Sequence, residues 1–425
     1  MKEVTIYPAR LAGEVDIPAS KSMSHRAVIC AGLSEGVSTI DNIGESQDIG
    51  ATCEAMKSLG IRLEKTGSSI RIRGKRVLEL ASPHIECHES GSTLRFIIPI
   101  ALLTGGPVSF HGGGRLGERS LAPYYRIFEN QGIRYGTDSG RLPLSVEGRL
   151  APGEFRLEGN ISSQFISGLM FALPLLEGDS RITVTGGLES RPYVDMTISI
   201  LGKFSIAVEN HGYSRFYIRG NQKYKAADYT VEGDFSQAAF WLAAGALGSE
   251  VSCRGLERDS LQGDKAIIDI IERMGGTTAA AGDTVKALPS RTRGAAIDAS
   301  QCPDLVPILA VMGALSEGRT EIINAGRLRL KESDRLKAIS SELGKLGAHI
   351  EERKEGLIID GADALKGGRV DSWNDHRIAM ALAVAATRCK EPVTISNAAC
   401  VNKSYPGFWE HYKALGGKTD ERNMG

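Results

Sequence analysis

One motif recurs six times along this 425-residue chain: a strand-like run, a polar Ser or Asp, and an apolar, Ala-rich run suited to a helix. The copies read VDIPASKSMSHRAVICAGL, IECHESGSTLRFIIPIALL, FRLEGNISSQFISGLMFALPLL, YTVEGDFSQAAFWLAAGAL, AIDASQCPDLVPILAVMGAL and VDSWNDHRIAMALAVAA. With Ser20, Ser90, Ser162, Asp234, Asp304 and Asp375 as landmarks, the spacing is 70–72 residues throughout. A fixed period of this size makes each copy one supersecondary unit, and the α/β fold is read as six of them.

After each apolar run a Gly-containing turn leads to a second strand, as in TGGPVSFHG and SEGRTEIINA. A second, amphipathic run then ends near a Gly in MKSLGI, FENQGI, IERMGG, GKLGAHI and YKALGG, where a helix C-terminus favours positive φ. The third copy, LGKFSIAV, has no Gly there. Pairs such as IRLEKTGSSIRIRG and HIEERKEGLIIDG predict closing hairpins. Each unit is therefore expected to run strand, helix, strand, helix and two strands. Its first helix is apolar nearly all round and belongs in an interior. The period leaves open whether the six form one array or two closed groups of three. The segment before Pro18 and the polar stretch 221–228 are the candidate crossings between two domains.

Composition narrows the partners. A chain with 42% hydrophobic residues buries substantial cores. Lys+Arg and Asp+Glu are both 51, which argues against nucleic acid or a membrane surface as a partner, so an anion site must be a local gathering of cations. The seven Cys show neither CxxC nor CxxH spacing, and no basic-apolar leader precedes Val4. A reduced, cytoplasmic protein without structural zinc is expected. Every apolar run is interrupted short of the roughly 18 residues that span a bilayer.

The chemistry collects where each strand hands over to its apolar helix, because free backbone N–H groups and the positive end of the helix dipole point the same way there. Lys21 and Arg26 accompany the first copy, Arg95 the second, and His376 and Arg377 the sixth. A second set of cations begins the amphipathic helices: Arg115 and Arg119, Arg191, Lys331 with Arg335, and Lys403. Simpler readings exist for each. A Ser before a helix is ordinarily an N-cap, which suits Ser20 and Ser92, and an Asp such as Asp234 caps equally well. A lone surface Arg such as Arg191 is ordinarily a solvated charge. Lys331 and Arg335, one turn apart, repel mildly unless an anion lies between them.

Ten segments resemble the enolpyruvylshikimate phosphate synthase family in family order: PASKSMSHR, ESGSTLRF, GERSL, GNISSQF, SRPYVDMT, VEGDFSQA, CPDLVP, LRLKESDRL, WNDHRIAM and the lysine of VNKSYPGF. The resemblance spans residues 18–409. It implies a two-domain, inside-out α/β barrel of six βαβαββ repeats, three per domain. One domain would comprise residues 18–228 and the other residues 1–17 with 229–425, with substrates in the cleft between helix N-termini. It further implies transfer of the enolpyruvyl group of phosphoenolpyruvate to the 5-hydroxyl of shikimate 3-phosphate, with release of phosphate, by a monomer needing no metal or organic cofactor.

By the same resemblance, Lys21, Ser22 and Arg26 line the junction of the two substrates, Lys21 on the phosphoenolpyruvate side and within the catalytic set. Ser162, Ser163, Gln164, Ser190 and Lys331 match positions that hold shikimate 3-phosphate, with Tyr193 close by. Gly91, Arg119, Gln164, Arg335, Arg377 and Lys403 match the phosphoenolpyruvate set. Asp304 matches the carboxylate that takes the proton of the attacking hydroxyl, and Glu332 one proposed as proton donor. The residue types suit these roles: guanidinium groups grip carboxylate or phosphate in two-pronged fashion, and Gly91 admits a ligand close to the backbone. Three departures stand out: Glu89-Ser90 where the family often has Asn-Ala, Phe96 where it often has Pro, and Arg327 near the place of a common Asn. A sister enzyme acting on UDP-N-acetylglucosamine is the nearest alternative, though it usually carries a Cys in the loop matching 112–119, and this loop has none. An RNA 3'-terminal cyclase-like protein would be expected to be basic.

Overall fold

Six four-stranded sheets and twelve α-helices are found among residues 2–423, the part of the chain that the computed structural model describes. The residues fall into two compact units, one of residues 19–231 and one of residues 1–18 with 232–425. The first holds α1 (Lys21–Leu33) and α2 (Gln47–Ser58), α3 (Gly91–Ala101) and α4 (Ala122–Gln131), and α5 (Ser163–Ala172) and α6 (Arg191–Lys203). The second holds α7 (Phe235–Ala246) and α8 (Ile267–Arg273), α9 (Val306–Ala314) and α10 (Arg335–Lys345), and α11 (His376–Ala386) and α12 (Phe408–Ala414). Each repeat thus contributes one apolar and one amphipathic helix.

Every sheet follows one order. In the second repeat His84–Glu86 lies parallel to Val108–His111, which pairs antiparallel with Arg141–Glu147, which pairs antiparallel with Arg134–Asp138. The parallel pair brackets the apolar helix, as a βαβ crossover requires. Three sheets borrow strands from afar. Ala12–Asp16, although it precedes Ser20, lies parallel to Glu250–Arg254 in the fourth repeat, and Tyr229–Thr230 fills the corresponding place beside Gly36–Asp41 in the first. Lys2–Tyr7 completes the sixth sheet between Val393–Ser396 and Lys418–Asn423. The unit boundaries accordingly fall after residues 18 and 231. The stretch 221–228 is no bare crossing, because Tyr224 is buried with its hydroxyl donating to the Phe171 carbonyl, and Asp228 accepts the N–H of Thr39.

Within each unit the apolar helices lie inside and the sheets outside. Every residue of α7, α9 and α11 is buried, and these three pack on one another. Burying a Leu, Ile or Phe side chain stabilises by about 1.5–3 kcal/mol, so such helices dominate the core energetics. In the other unit α3 packs on α5 so closely that a Cβ on Gly168 would stand 2.3 Å from the Arg95 carbonyl oxygen. Pro99, inside α3, cannot donate to that carbonyl four residues back, and the Tyr124 hydroxyl does so instead at 2.5 Å. The amphipathic helices end as their Gly residues predict: Gly60, Gly132, Gly275, Gly347 and Gly416 have φ of 66–90°. At the copy without Gly, Ser205 takes the same left-handed conformation, at φ 67°.

Candidate active site

Five of the six landmark residues cap the helices they precede. Ser20, Ser90 and Ser162 accept the N–H of Met23, Thr93 and Gln164 at 3.4, 3.2 and 3.3 Å, Asp234 that of Ser236 at 2.8 Å, and Asp375 that of Arg377 at 3.0 Å. The cap of α3 is therefore Ser90 and not Ser92, whose hydroxyl accepts from Gln164 Nε2 at 2.9 Å. Asp304 differs. Helix α9 starts through a 3-10 turn, Pro303–Leu305, without a side-chain cap, and the Asp304 carboxylate faces cations instead.

In the unit of residues 19–231, Lys21, Ser22 and Arg26 share the first turns of α1. Arg26 is buried and donates to Thr197 Oγ1 at 2.8 Å and to the carbonyls of Ser22 and Tyr193 at 2.7 and 2.9 Å. Its guanidinium also lies 5.1 Å over the Phe96 ring, and burial lowers its pKa to about 10. The charge is thus fixed in place by the fold. Lys21 Nζ pairs at 2.8 Å with Asp48, in the first turn of α2.

Gly91, Arg119 and Gln164 come together around Arg95. A Cβ on Gly91 would stand 2.8 Å from Arg95 Nη1, 2.9 Å from Arg119 Nη1 and 3.7 Å from Gln164 Oε1, and Arg95 Nη1 donates to Gln164 Oε1 at 2.9 Å. Only glycine leaves that approach open. Ser162 and Ser163 stand beside Gln164 at the start of α5, and buried Ser190 precedes α6 with φ 55° and ψ 42°. That left-handed conformation costs a serine energy and is of the kind that collects at functional positions. The departures from the family pattern are absorbed locally: Ser90 caps α3, Phe96 packs against Arg26, His25 and Phe171, and Arg327 donates to the Ser300 carbonyl at 2.8 Å.

In the other unit the charges are denser. Arg335, only 1% exposed, donates to Asp304 Oδ1 at 2.7 Å, to Glu332 Oε2 at 2.7 Å and, through Nε, to Asp375 Oδ2 at 2.8 Å. Burial alone would lower its pKa, but the three carboxylates raise it. Asp304 is shared further, with Arg377 Nη2 at 3.3 Å and Lys331 Nζ at 3.5 Å. Burial pushes its carboxyl up, yet Arg377, Lys331 and Arg335 outweigh burial and hold it well below the usual carboxylate range. Burial lowers the Lys331 ammonium, with Asp304 opposing. Lys403 Nζ donates at 2.7 Å to the carbonyl of Asn374, which like Trp373 has a left-handed backbone. Four cations held by the fold can receive a multiply charged anion without rearranging, and Asp304 supplies a proton acceptor among them.

Three residues of these clusters escape a reading by period and helix ends. Asp48 carries no periodic signal, Arg95 reads only as an accompanying cation, and Asp375 reads as a landmark cap although it also grips Arg335. An acidic residue in a helix's first turn near a predicted cation would have been the clue to Asp48.

The family model for EPSP synthase (3-phosphoshikimate 1-carboxyvinyltransferase) matches residues 6–412. A 3-phosphoshikimate 1-carboxyvinyltransferase of Clostridium kluyveri is 55% identical over the whole of both chains. Among solved structures, EPSP synthase from Acinetobacter baumannii superposes with a TM-score of 0.83 at 24% identity over the whole of both chains. The enolpyruvyl transferase NikO from Streptomyces tendae does so with a TM-score of 0.79 at 18% identity, covering 100% of this chain and 99% of that one. These two likenesses concern the fold.

Proposed function

Because the chain belongs to the EPSP synthase family, we propose that its two clusters carry out that family's reaction with the residues in the following roles. The protein transfers the enolpyruvyl group of phosphoenolpyruvate to shikimate 3-phosphate, in aromatic biosynthesis. Transfer to UDP-N-acetylglucosamine and RNA-end cyclisation are not favoured by its relatives.

Ser162, Ser163, Gln164, Ser190 and Lys331 hold shikimate 3-phosphate, with Ser22 and Arg26 beside them. Gly91, Arg119, Gln164, Arg335, Arg377 and Lys403 hold phosphoenolpyruvate, and Lys21 touches both substrates. The enol methylene is protonated, the 5-hydroxyl attacks the cationic carbon while Asp304 takes its proton, and the tetrahedral intermediate then loses a proton and phosphate. Glu332 and Lys21 serve the proton transfers on the enolpyruvyl side. The observation that carries this reading is the trio of cations on Asp304, at 2.7, 3.3 and 3.5 Å. Alone, they make Asp304 a feeble base. Anionic substrate groups that engage Arg335, Arg377 and Lys331 draw off that positive charge, so the base gains strength when the substrates are in place. We place the work in the cytoplasm, in keeping with seven buried thiols, and assign it to a single chain.

Phosphate release from phosphoenolpyruvate tests the reading, with shikimate 3-phosphate and UDP-N-acetylglucosamine compared as acceptors. Turnover is expected with the first acceptor only, and turnover with the sugar nucleotide alone would overturn it.

A further inference from the structure

Two turns into α10 stands Glu342, a carboxylate only 1% exposed. Its Oε1 accepts the Trp373 indole N–H at 2.8 Å and its Oε2 the backbone N–H of Asp371 at 2.9 Å, while Lys345 Nζ lies 2.8 and 2.7 Å from the two oxygens. A helix needs no buried charge in order to pack, and an apolar side chain would serve that end without the cost of desolvation. Two of these bonds go instead to one short segment, residues 371–375, which leads from the strand Gly368–Asp371 into α11.

That segment is strained. Trp373 and Asn374 are left-handed in succession, at φ 53° and 54°, and such backbone persists only where its surroundings fix it. Asp371 Oδ1 accepts the N–H of Trp373 at 2.6 Å, Ser372 Oγ that of Asn374 at 3.2 Å, and the Ser372 carbonyl that of Asp375 at 2.9 Å. Glu342 holds the indole from outside. The turn so formed aims the Asn374 carbonyl at Lys403 Nζ, 2.7 Å away, and delivers Asp375 to Arg335. Asp371 Oδ2 also accepts from Asn397 Nδ2 at 2.9 Å, just ahead of the turn Ala398–Lys403. Arg335 begins the helix that carries Glu342, and seven positions return the two to one face. Helix α10 is thus joined to residues 371–375 twice, through Arg335 at its start and through Glu342 further along.

We propose that Glu342 is a positioning residue for phosphoenolpyruvate, acting through Trp373 and Asp371 to set where Lys403 and Arg335 stand. This rests on the assignment of those two cations to phosphoenolpyruvate. They come from separate elements, so an anion that engages both depends on their spacing, and a misplacement of about 1 Å costs up to about a hundredfold. Shikimate 3-phosphate is assigned to Ser162, Ser163, Gln164, Ser190 and Lys331, outside this segment. Loosening residues 371–375 therefore reaches one substrate and spares the other.

The test is the KM for each substrate, with kcat, on the full-length protein, comparing Glu342→Gln, Trp373→Phe, their double variant and Lys403→Met with the wild type. The Gln amide turns N–H groups toward one of two donors, whereas Phe keeps a ring and removes only the indole N–H. Glu342→Gln should raise the KM for phosphoenolpyruvate on the order of tenfold and Trp373→Phe on the order of threefold, leaving that for shikimate 3-phosphate within about twofold of wild type. Since the two residues share one hydrogen bond, the double variant should match Glu342→Gln and not multiply the two effects. Trp373→Phe carries the test by itself if Glu342→Gln does not fold. An unchanged KM for phosphoenolpyruvate in the folded variants, equal rises for both substrates, or multiplied effects in the double variant would overturn the proposal. A wild-type KM for phosphoenolpyruvate in Lys403→Met would instead sink the assignment of the site, and the proposal with it.

Discussion

Asp375 grips Arg335 with both carboxylate oxygens, at 2.8 Å to Nε and 3.3 Å to Nη2, while its Oδ1 also receives the N–H of Arg377 at 3.0 Å. One buried carboxylate therefore sets the direction of two arginines, Arg335 through the side chain and Arg377 through the start of α11. Ser333 adds a third donor at 3.1 Å. An Asn at position 375 could still cap the helix, but its amide would present N–H groups to a guanidinium that has only N–H groups to offer.

Asp375→Asn should therefore weaken phosphoenolpyruvate use through Arg335 and also cost stability. Breaking a buried pair by removing one partner costs about 3–5 kcal/mol. The lower end is expected, because Asp304 and Glu332 still hold Arg335. Urea denaturation and the KM for phosphoenolpyruvate check this. Unchanged values for both would mean that the pair neither stabilises nor orients.

Ser205 offers the opposite case, a substitution expected to help. It is exposed, lies at the end of α6, and has φ 67° where the matching residues of the other repeats are Gly. A left-handed non-glycine residue costs about 1–2 kcal/mol, part of which glycine returns through its greater freedom in the unfolded chain. Ser205→Gly should stabilise by about 0.5–1 kcal/mol without affecting turnover. A lower melting temperature would contradict the strain argument.

His25 makes stability depend on pH. Its ring is buried, hydrogen-bonded to Thr52 Oγ1 at 2.7 Å and edge-on to Phe96, with no partner for Nε2 among the described residues. Burial, then Lys21 and Arg26, hold its pKa well below 6.5. The unfolded chain takes up a proton below that value and the folded chain does not, so this group's share of stability is complete above pH 6.5 and is lost as pH falls. The slope tends to about 1.4 kcal/mol per pH unit. Unfolding free energies measured from pH 7 to pH 5 should fall less steeply in His25→Gln by about one proton. Parallel slopes would show that His25 is protonated in the fold.

Much of the fold is legible in the sequence because it is local, and so are the helix starts on which the proposed site draws. The period fixes which residues begin helices, and Lys21, Arg335 and Arg377 stand out there as cations, whereas Gly91 and Gln164 enter through family likeness alone. What escapes depends on distant partners. Nothing in Ala12–Asp16 says that it pairs with Glu250–Arg254, since any half-buried strand has the same alternation. Asp375 looks like any helix cap, and its hold on Arg335 lies forty residues away in sequence.

The account turns on Asp304, which stands where its counterparts cap helices yet leaves α9 without a side-chain cap and faces three cations. The most direct test measures the melting temperature and phosphoenolpyruvate-dependent turnover of Asp304→Asn on one preparation. The amide keeps shape and one acceptor oxygen but cannot take the proton of the 5-hydroxyl, so turnover should fall about a hundredfold to ten-thousandfold in a folded protein. A folded variant with wild-type turnover would contradict the account.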